Sequence, residues 1–418
     1  MKKRIVLLLL ALSTLSVCAQ SQTPTGLLGS WSGKLNAGIM KLTLVLHLEH
    51  VDGALRVTLD SPDQGAKGIQ AVSEFLSEDS IAVSVKIINA TYRARLKDST
   101  LVGTFSQNGF SLPLILTRGV EEAKRPQHPL PPYPYATEEL TFRNETDGAT
   151  LAGTLTWPVG YDKRSKRKPT VVLLVSGSGQ QNRDEEIFGH KPFLVIADRL
   201  AREGIASLRY DDRATGASVG GDIMNATTES FMRDAAAGIA CLRSLKRFGK
   251  VGVIGHSEGA TIAFMLGARK KADFLVSMAG PGVKGDTLLA AQTNRILSLS
   301  GLPASMTVVK YRMQPDVLKN DWVKWFIDYD PSDDIRKTRC PVLAINGERD
   351  TQVISSLNLQ SIRNLLPASK KNHVKEYPEL NHLFQHSSTG LPAEYGQTEE
   401  TISPEVLGDI VEWIHGVE

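Results

Sequence analysis

Val251-Gly252-Val253-Ile254-Gly255-His256-Ser257-Glu258-Gly259-Ala260 is the stretch on which the fold turns. Its first four residues form the short apolar, β-branched run of a buried strand, and a helical pattern opens at Glu258. Between them stands Gly-x-Ser-x-Gly, the pattern of a nucleophile elbow, which holds a serine on a strained turn so that its hydroxyl clears the sheet. Gly255 and Gly259 allow strand and helix to pass closely enough for that turn. Alone the pattern is weak. With a strand before it and a helix after it the pattern becomes strong, and it predicts Ser257 as a nucleophile on such an elbow.

The flanking sequence fits a mainly parallel sheet covered on both faces. Val171 to Val175, Ala206 to Arg209, Phe274 to Ser277 and the run from Pro341 read as buried strands. Helical patterns near Pro192 to Arg202 and Thr228 to Lys246 alternate with them. Leu140 to Arg143 and Thr150 to Trp157 read as a leading hairpin.

A serine needs a base, and the base needs an orienting carboxylate. In this architecture the order is serine, acid, histidine. Asn346-Gly347-Glu348-Arg349-Asp350 follows a late core strand and supplies the acid, for which Asp350 is chosen with Glu348 in reserve. His382, in Glu379-Leu380-Asn381-His382, falls on the loop after the last strand and is the expected base. His386 is its rival, and His256 should point elsewhere. One oxyanion donor should be the N–H of Glu258. The other should come from Ser176-Gly177-Ser178-Gly179-Gln180, with Gly179 or Gln180 as the candidate. A dinucleotide reading of that loop fails, because the third glycine would fall at Asn182.

Residues 283–338 lie between two core strands and carry helical patterns at Leu288 to Leu299 and Asp321 to Asp328. They are expected to cap the carboxyl edge of the sheet, with Trp322, Trp325 and Phe326 lining an apolar substrate pocket. Such a pocket favours an acyl chain or aromatic acid over a polyphosphate.

Residues 26–119 read differently, as short alternating strands punctuated by Asp52-Gly53, Asp98-Ser99 and Asn108-Gly109. Six are visible: 40–48, 55–59, 81–87, 92–96, 101–105 and 112–116. They predict a small antiparallel barrel or sandwich. Residues 120–136 are proline-rich and are expected to be an extended linker, with the catalytic domain at 137–418.

Lys2, Lys3 and Arg4 precede the apolar run Ile5 to Leu12 and the small-residue stop Val17-Cys18-Ala19, which reads as a signal peptide over 1–19. An exported protein, periplasmic or secreted, is expected. Cys18 offers a lipid-anchored alternative, against which Val17 is bulky for the position before such a cysteine. Of the 418 residues, 48 are Lys or Arg and 45 Asp or Glu, and losing the first three basic residues leaves 45 of each. Neutrality removes the main support for nucleic-acid binding. The basic run Lys163 to Lys168 reads as a solvated loop. No later segment is as apolar as the leader, so no membrane span is expected, and the mean hydropathy of −0.14 is that of a globular protein. Cys241 and Cys340 read as two buried thiols rather than a disulfide framework. No Cys/His cluster has zinc spacing, and His47 and His50 would face opposite sides of a strand. Neither a metal nor an organic cofactor is expected.

The chain resembles exported bacterial esterases of the α/β-hydrolase fold, in the branch near dienelactone-hydrolase-like and serine-aminopeptidase-like proteins. The resemblance rests on Ser176-Gly177-Ser178-Gly179 with Arg183-Asp184-Glu185, on Arg209-Tyr210-Asp211-Asp212-Arg213, and on Gly255-His256-Ser257-Glu258-Gly259. Asn346 to Asp350 and Asn381-His382-Leu383-Phe384 complete it. It spans nearly everything from 140 to 418, and implies the same triad. Such proteins commonly have proline where Gln180 stands, aspartate at Asn182 and glycine at Ala214. The β-rich segment also looks like a domain found ahead of such esterases. The resulting expectation is a serine hydrolase acting on carboxylic esters through an acyl-enzyme. A peptidase or amidase with the same triad is the enzymatic alternative. A carbohydrate- or envelope-binding protein with a vestigial hydrolase core is the non-enzymatic one. The acyl and alcohol groups, the oligomeric state and the role of the β domain are not read from the sequence.

Overall fold

A computed structural model describes residues 26–37, 40–62, 66–120 and 124–418. The signal-peptide reading, Cys18 included, lies outside them. The chain divides into two compact units, with the change at Glu121/Glu122.

The first unit is a closed barrel of β1 (Gly29–Ala37), β2 (Met40–Val51), β3 (Ala54–Ser61), β4 (Ala66–Leu76), β5 (Ser80–Val85), β6 (Ala90–Lys97), β7 (Thr100–Gln107) and β8 (Phe110–Arg118). Each strand pairs antiparallel with the next, and Ser32 pairs with Thr117 to close the ring. Alternate residues fill the interior: Trp31 and Leu35, Leu44, Leu46 and Leu48, Ile81, Val83 and Val85. The indole N–H of Trp31 donates to the carbonyl of Leu27 at 2.8 Å, so the largest interior side chain leaves no orphan donor. The sequence reading lacked β1 and β4. β1 is rich in glycine and serine, and in β4 the register shifts between Ser73 and Phe75, which breaks the alternation that marks a strand. His47 lies between Ser30 and Asp60, bonded to both, and His50 is exposed.

The second unit carries a sheet of β9 (Thr137–Asn144), β10 (Ala149–Thr156), β11 (Val171–Val175), β12 (Ala206–Tyr210), β13 (Val251–His256), β14 (Leu275–Met278), β15 (Val342–Gly347) and β16 (His373–Tyr377). Their spatial order is β16-β15-β14-β13-β11-β12-β10-β9, parallel from β16 to β12 and antiparallel at the β9–β10 edge. The helices are α1 (Pro192–Arg202), α2 (Thr228–Ser244), α3 (Glu258–Ala268), α4 (Gly285–Leu299), α5 (Val308–Arg312), α6 (Pro315–Lys319), α7 (Asp321–Asp328), α8 (Ser332–Lys337), α9 (Ser355–Leu365) and α10 (Pro404–Val417).

β11 shows why this sheet has two cores. Val171, Leu173 and Val175 face one side, with Ile239 of α2 and Phe264 of α3. Val172 and Leu174 face the other, with Phe193 of α1 and Ile410 of α10. All five are buried, and each such side chain contributes roughly 1.5–3 kcal/mol by leaving water. The chain moves from β11 to β12 through α1 on one face. It leaves β13 through α3 on the other. The carboxyl ends of β11 and β13 are therefore the switch point of the sheet, where two loops part and leave a crevice.

The proline-rich segment belongs to this second unit and is pinned to it. The Arg125 guanidinium donates to the carbonyls of Phe188, Gly396 and Thr398, each at 2.9 Å. Gln127 donates to the Ile402 carbonyl at 2.7 Å and accepts from the N–H of Thr401 at 2.6 Å. Among the described residues, no helix is long and apolar enough to cross a membrane.

Candidate active site

Ser257 follows β13 with φ 55° and ψ −118°, a conformation that costs a non-glycine residue about 1–3 kcal/mol. The neighbouring glycines make it possible. A Cβ on Gly255 would lie 2.1 Å from the carbonyl oxygen of Gly259, and one on Gly259 would lie 2.0 Å from that of Val175. The Ser257 N–H donates to the Met278 carbonyl at 2.9 Å, which ties the elbow to β14.

Asp350 and His382 come together from two loops, the first after β15 and the second after β16. The Nδ1–H of His382 donates to Oδ2 of Asp350 at 2.7 Å, and both side chains are buried. The other carboxylate oxygen of Asp350 accepts the N–H groups of Gln352 and Val353, each at 2.8 Å, which fixes the carboxylate plane. With Nδ1 so engaged, Nε2 is the ring nitrogen that can take a proton. Glu348 instead turns outward and accepts the N–H of Glu379 at 3.2 Å. His386 is 60% exposed and paired with Glu400 at 2.8 Å.

The loop after β11 lies against the elbow. A Cβ on Gly177 would come within 3.2 Å of Cβ of Ser257, a tight contact that a larger residue would make only by displacing its neighbour by a few tenths of an ångström. The N–H of Gly177 donates to Oε1 of Glu185 at 2.7 Å, and that of Gln181 donates to Asp212 at 2.9 Å. Gly179 has φ 96° and lines, with Gly177, Asp212 and Glu258, a tight cleft of about 10 Å³, room for one water. The Gln180 side chain is exposed and reaches toward Thr215 Oγ1 at 3.4 Å. Ala214, where resembling proteins have glycine, stands at φ 56°, so the turn keeps its left-handed shape without the glycine.

Glu258 is buried. Its carboxylate accepts the hydroxyl of Thr228 at 2.6 Å and the indole N–H of Trp322 at 2.9 Å. Burial pushes this carboxyl above the ordinary range, against the pull of those donors and of Ser178. Asp212, equally buried, is pushed well above its ordinary value by the same cause. The Trp322 bond brings α7 to Glu258, the residue after Ser257. Trp322 stacks on Phe326 at 5.2 Å, and Phe326 closes a cluster with Leu288 and Val353. Trp325 stacks on Tyr329 at 4.8 Å and packs against the larger core. A wider cleft of about 470 Å³, lined by Arg349, Glu379, His386 and Glu394, has none of Ser257, Asp350 and His382 on its wall.

His256 occupies the position before the serine and was expected to point away from it. Its ring has partners that sequence reasoning missed. Its Nδ1 is 2.9 Å from Oε1 of Glu185, and its Nε2 is 2.9 Å from the backbone carbonyl of His382. Glu185 stands in Arg183-Asp184-Glu185, three consecutive charges in the loop after β11. Arg183 pairs with Asp211 at 2.8 Å, Asp184 pairs with Arg209, and Glu185 takes His256.

Among the described residues, no group of three or more potential ligands gathers to hold a metal ion. Cys241 and Cys340 are half-buried free thiols, and burial pushes the Cys340 thiol up to about 11.

The family model described as Serine aminopeptidase, S33 matches residues 191–325, a span that contains Ser257 and stops short of Asp350 and His382. Esterase EstD of Thermotoga maritima is 28% identical over 310 residues, covering 70% of this chain and 72% of that protein. Among solved structures, the Pyrococcus furiosus esterase Pf2001 is 18% identical over 71% of this chain and 98% of its own, with a TM-score of 0.44. Est1E from Butyrivibrio proteoclasticus is 16% identical over 67% of this chain and 98% of its own, with a TM-score of 0.45. The chain thus carries a mixed α/β sheet between two helical layers, with a strand-turn-helix elbow at its switch point, preceded in sequence by a closed eight-stranded antiparallel β-barrel, and over residues 191–325 it is similar to the serine aminopeptidase family.

Proposed function

We propose that the protein is a serine hydrolase that cleaves carboxylic esters through an acyl-enzyme intermediate, with Ser257 as nucleophile, His382 as base and Asp350 as orienting acid. The observation that carries this reading is the buried 2.7 Å bond from His382 Nδ1 to Asp350, in a unit whose elbow holds Ser257 at φ 55°. In the mechanism His382 Nε2 takes the hydroxyl proton as Ser257 Oγ attacks the carbonyl carbon. The imidazolium then protonates the departing alcohol, and water repeats the sequence on the acyl-enzyme. The oxyanion is held by the N–H of Glu258 at the start of α3 and by a second donor from the loop after β11. The N–H groups of Gly177 and Gln181 are committed elsewhere, which favours Gly179 or Gln180 for that part. Trp322 and Phe326, with the apolar cap cluster, suit an acyl chain or an aromatic acid. Export to the periplasm or the medium is part of the proposal and rests on the leader sequence.

Two measurements test this. A fluorophosphonate probe should label the protein at Ser257, and Ser257→Ala should abolish both labelling and ester turnover while the far-ultraviolet circular dichroism is unchanged. Turnover that survives in Ser257→Ala would remove the serine from its role. An unlabelled wild-type protein would favour the envelope-binding alternative. A panel of activated esters and aminoacyl amides separates esterase from peptidase by the ratio of kcat/KM values.

A further inference from the structure

We infer that Glu185 and His256 form a buried carboxylate–imidazolium pair that holds the three catalytic loops in register, and that both are positioning residues for the reaction. The inference rests on the triad reading above for what is positioned. It rests on separate geometry for how.

Three bonds meet at this pair. Oε1 of Glu185 accepts the N–H of Gly177 at 2.7 Å, the residue whose α-carbon faces Ser257. The same oxygen lies 2.9 Å from Nδ1 of His256, which directly precedes Ser257. Nε2 of His256 lies 2.9 Å from the carbonyl oxygen of His382. One carboxylate and one ring thus join the loop after β11, the elbow after β13 and the loop that carries the base. A shift of any one by 1 Å would displace hydroxyl, imidazole or oxyanion donor relative to the others, a misplacement that can cost ~10²-fold in rate.

The charge state follows from the partners. A carboxylate and a backbone carbonyl only accept, so both ring nitrogens of His256 carry hydrogens and the ring is cationic. A neutral ring has a single N–H and would leave one of the two oxygens unserved. The groups that face the ring agree: Glu185 is the nearest charge, Asp350 adds to it, Phe384 presents an aromatic edge, and the His382 ring lies 4.8 Å away. Burial opposes the charge on His256, and the Glu185 carboxylate outweighs it, holding the ring above the ordinary histidine value. Since the pair is neutral as a whole, it leaves no net charge beside His382 when that ring becomes cationic in the reaction.

The backbone of Glu185 supports a dedicated role. It stands at φ 51°, where a non-glycine residue is strained, and the strained residue is the one whose carboxylate serves both loops. Its neighbours Arg183 and Asp184 are anchored to Asp211 and Arg209 at the end of β12, so the carboxylate is delivered from a fixed base.

Two readouts test the pair, on the full chain labelled with 15N-histidine. Long-range 1H–15N spectra at about pH 8 should show one ring with both nitrogens protonated, a signal missing from His256→Gln. In activated-ester kinetics, Glu185→Gln should lower kcat by ~10²-fold with KM nearly unchanged, and Glu185→Asp should recover part of the loss. A His256 ring protonated on one nitrogen overturns the inference, and so does a Glu185→Gln enzyme whose kcat stays within about threefold of wild type. If Glu185→Gln fails to fold, the ring state in the wild-type protein decides. Failure of the triad reading shows separately, as a wild-type protein that the fluorophosphonate leaves unlabelled at Ser257.

Discussion

Asp350 and Glu348 leave β15 two residues apart, and their surroundings divide them. Asp350 is buried, with one oxygen on His382 and the other on two backbone N–H groups. Glu348 is exposed and caps the turn at Glu379. Asp350→Asn keeps the shape and removes the charge that selects the imidazole tautomer, so kcat should fall by ~10⁴-fold. Glu348→Gln should cost less than about tenfold, since it touches nothing that changes in the transition state. Steady-state kinetics of both variants on one activated ester checks the ranking, and the reverse order would move the acid to Glu348. Ser257, Asp350 and His382 could be singled out as candidates from the sequence, because strand ends in a parallel sheet occur in a fixed order and each residue type stood where that order required it; the structure joins the last two by a hydrogen bond. Glu185 could not, because nothing in spacing tells that a loop carboxylate will turn inward toward the residue before the serine.

At the level of elements, the legible ones were those with a strong period and clear ends. α1 opens at Pro192 and ends at Arg202 as read, and β11 and β13 are the continuous apolar runs that a doubly covered strand requires. β1 and β4 of the barrel escaped because glycine and a register shift weaken the alternation. The short cap helices α5, α6 and α8 escaped because five or six residues carry too little period to register. Besides apolar packing, the segment 283–338 meets the helix after the elbow through polar contacts, the Trp322 indole on the Glu258 carboxylate and Asp334 on Arg269. Trp322→Phe preserves the stacking on Phe326 and strips a donor from a buried carboxylate, which should cost about 1–2 kcal/mol in urea unfolding. Combined with Glu258→Gln in a double-mutant cycle, it should show a coupling above ~0.5 kcal/mol, and additive effects would mean that the indole does not hold the cap.

For the whole molecule, the segment from Lys124 to Ala136 decides where the second unit begins. A chain truncated to start at Thr137 loses the Arg125 and Gln127 contacts with residues 188 and 396–402, whereas one that starts at Lys124 keeps them. The longer form should melt several degrees higher, and both should retain the triad. Equal melting temperatures would show that the segment adds nothing. His190 lies beneath the same region, its Nδ1 3.0 Å from the Thr401 hydroxyl and its Nε2 2.9 Å from the Tyr395 carbonyl. Burial, with the charge of Arg125 added, pushes it down to about 4. The folded state thus binds this proton less readily than the unfolded chain. Stability from this residue is complete above about pH 6.5 and declines by about 3 kcal/mol as the pH falls toward 4. Urea unfolding across that window should show a shallower decline in His190→Gln, and parallel curves would refute the assignment. The strap also sets a timetable for synthesis. The barrel closes between Ser32 and Thr117, 85 residues apart, so it can finish while most of the chain is still being made. Arg125 and Gln127 are made next and meet Gly396, Thr398 and Ile402 only when the chain has grown by 271–275 residues more. The opening segment of the second unit must wait for residues 396–402, and a ribosome that stalls before residue 396 would leave a finished barrel attached to a second unit whose strap has nothing to bind.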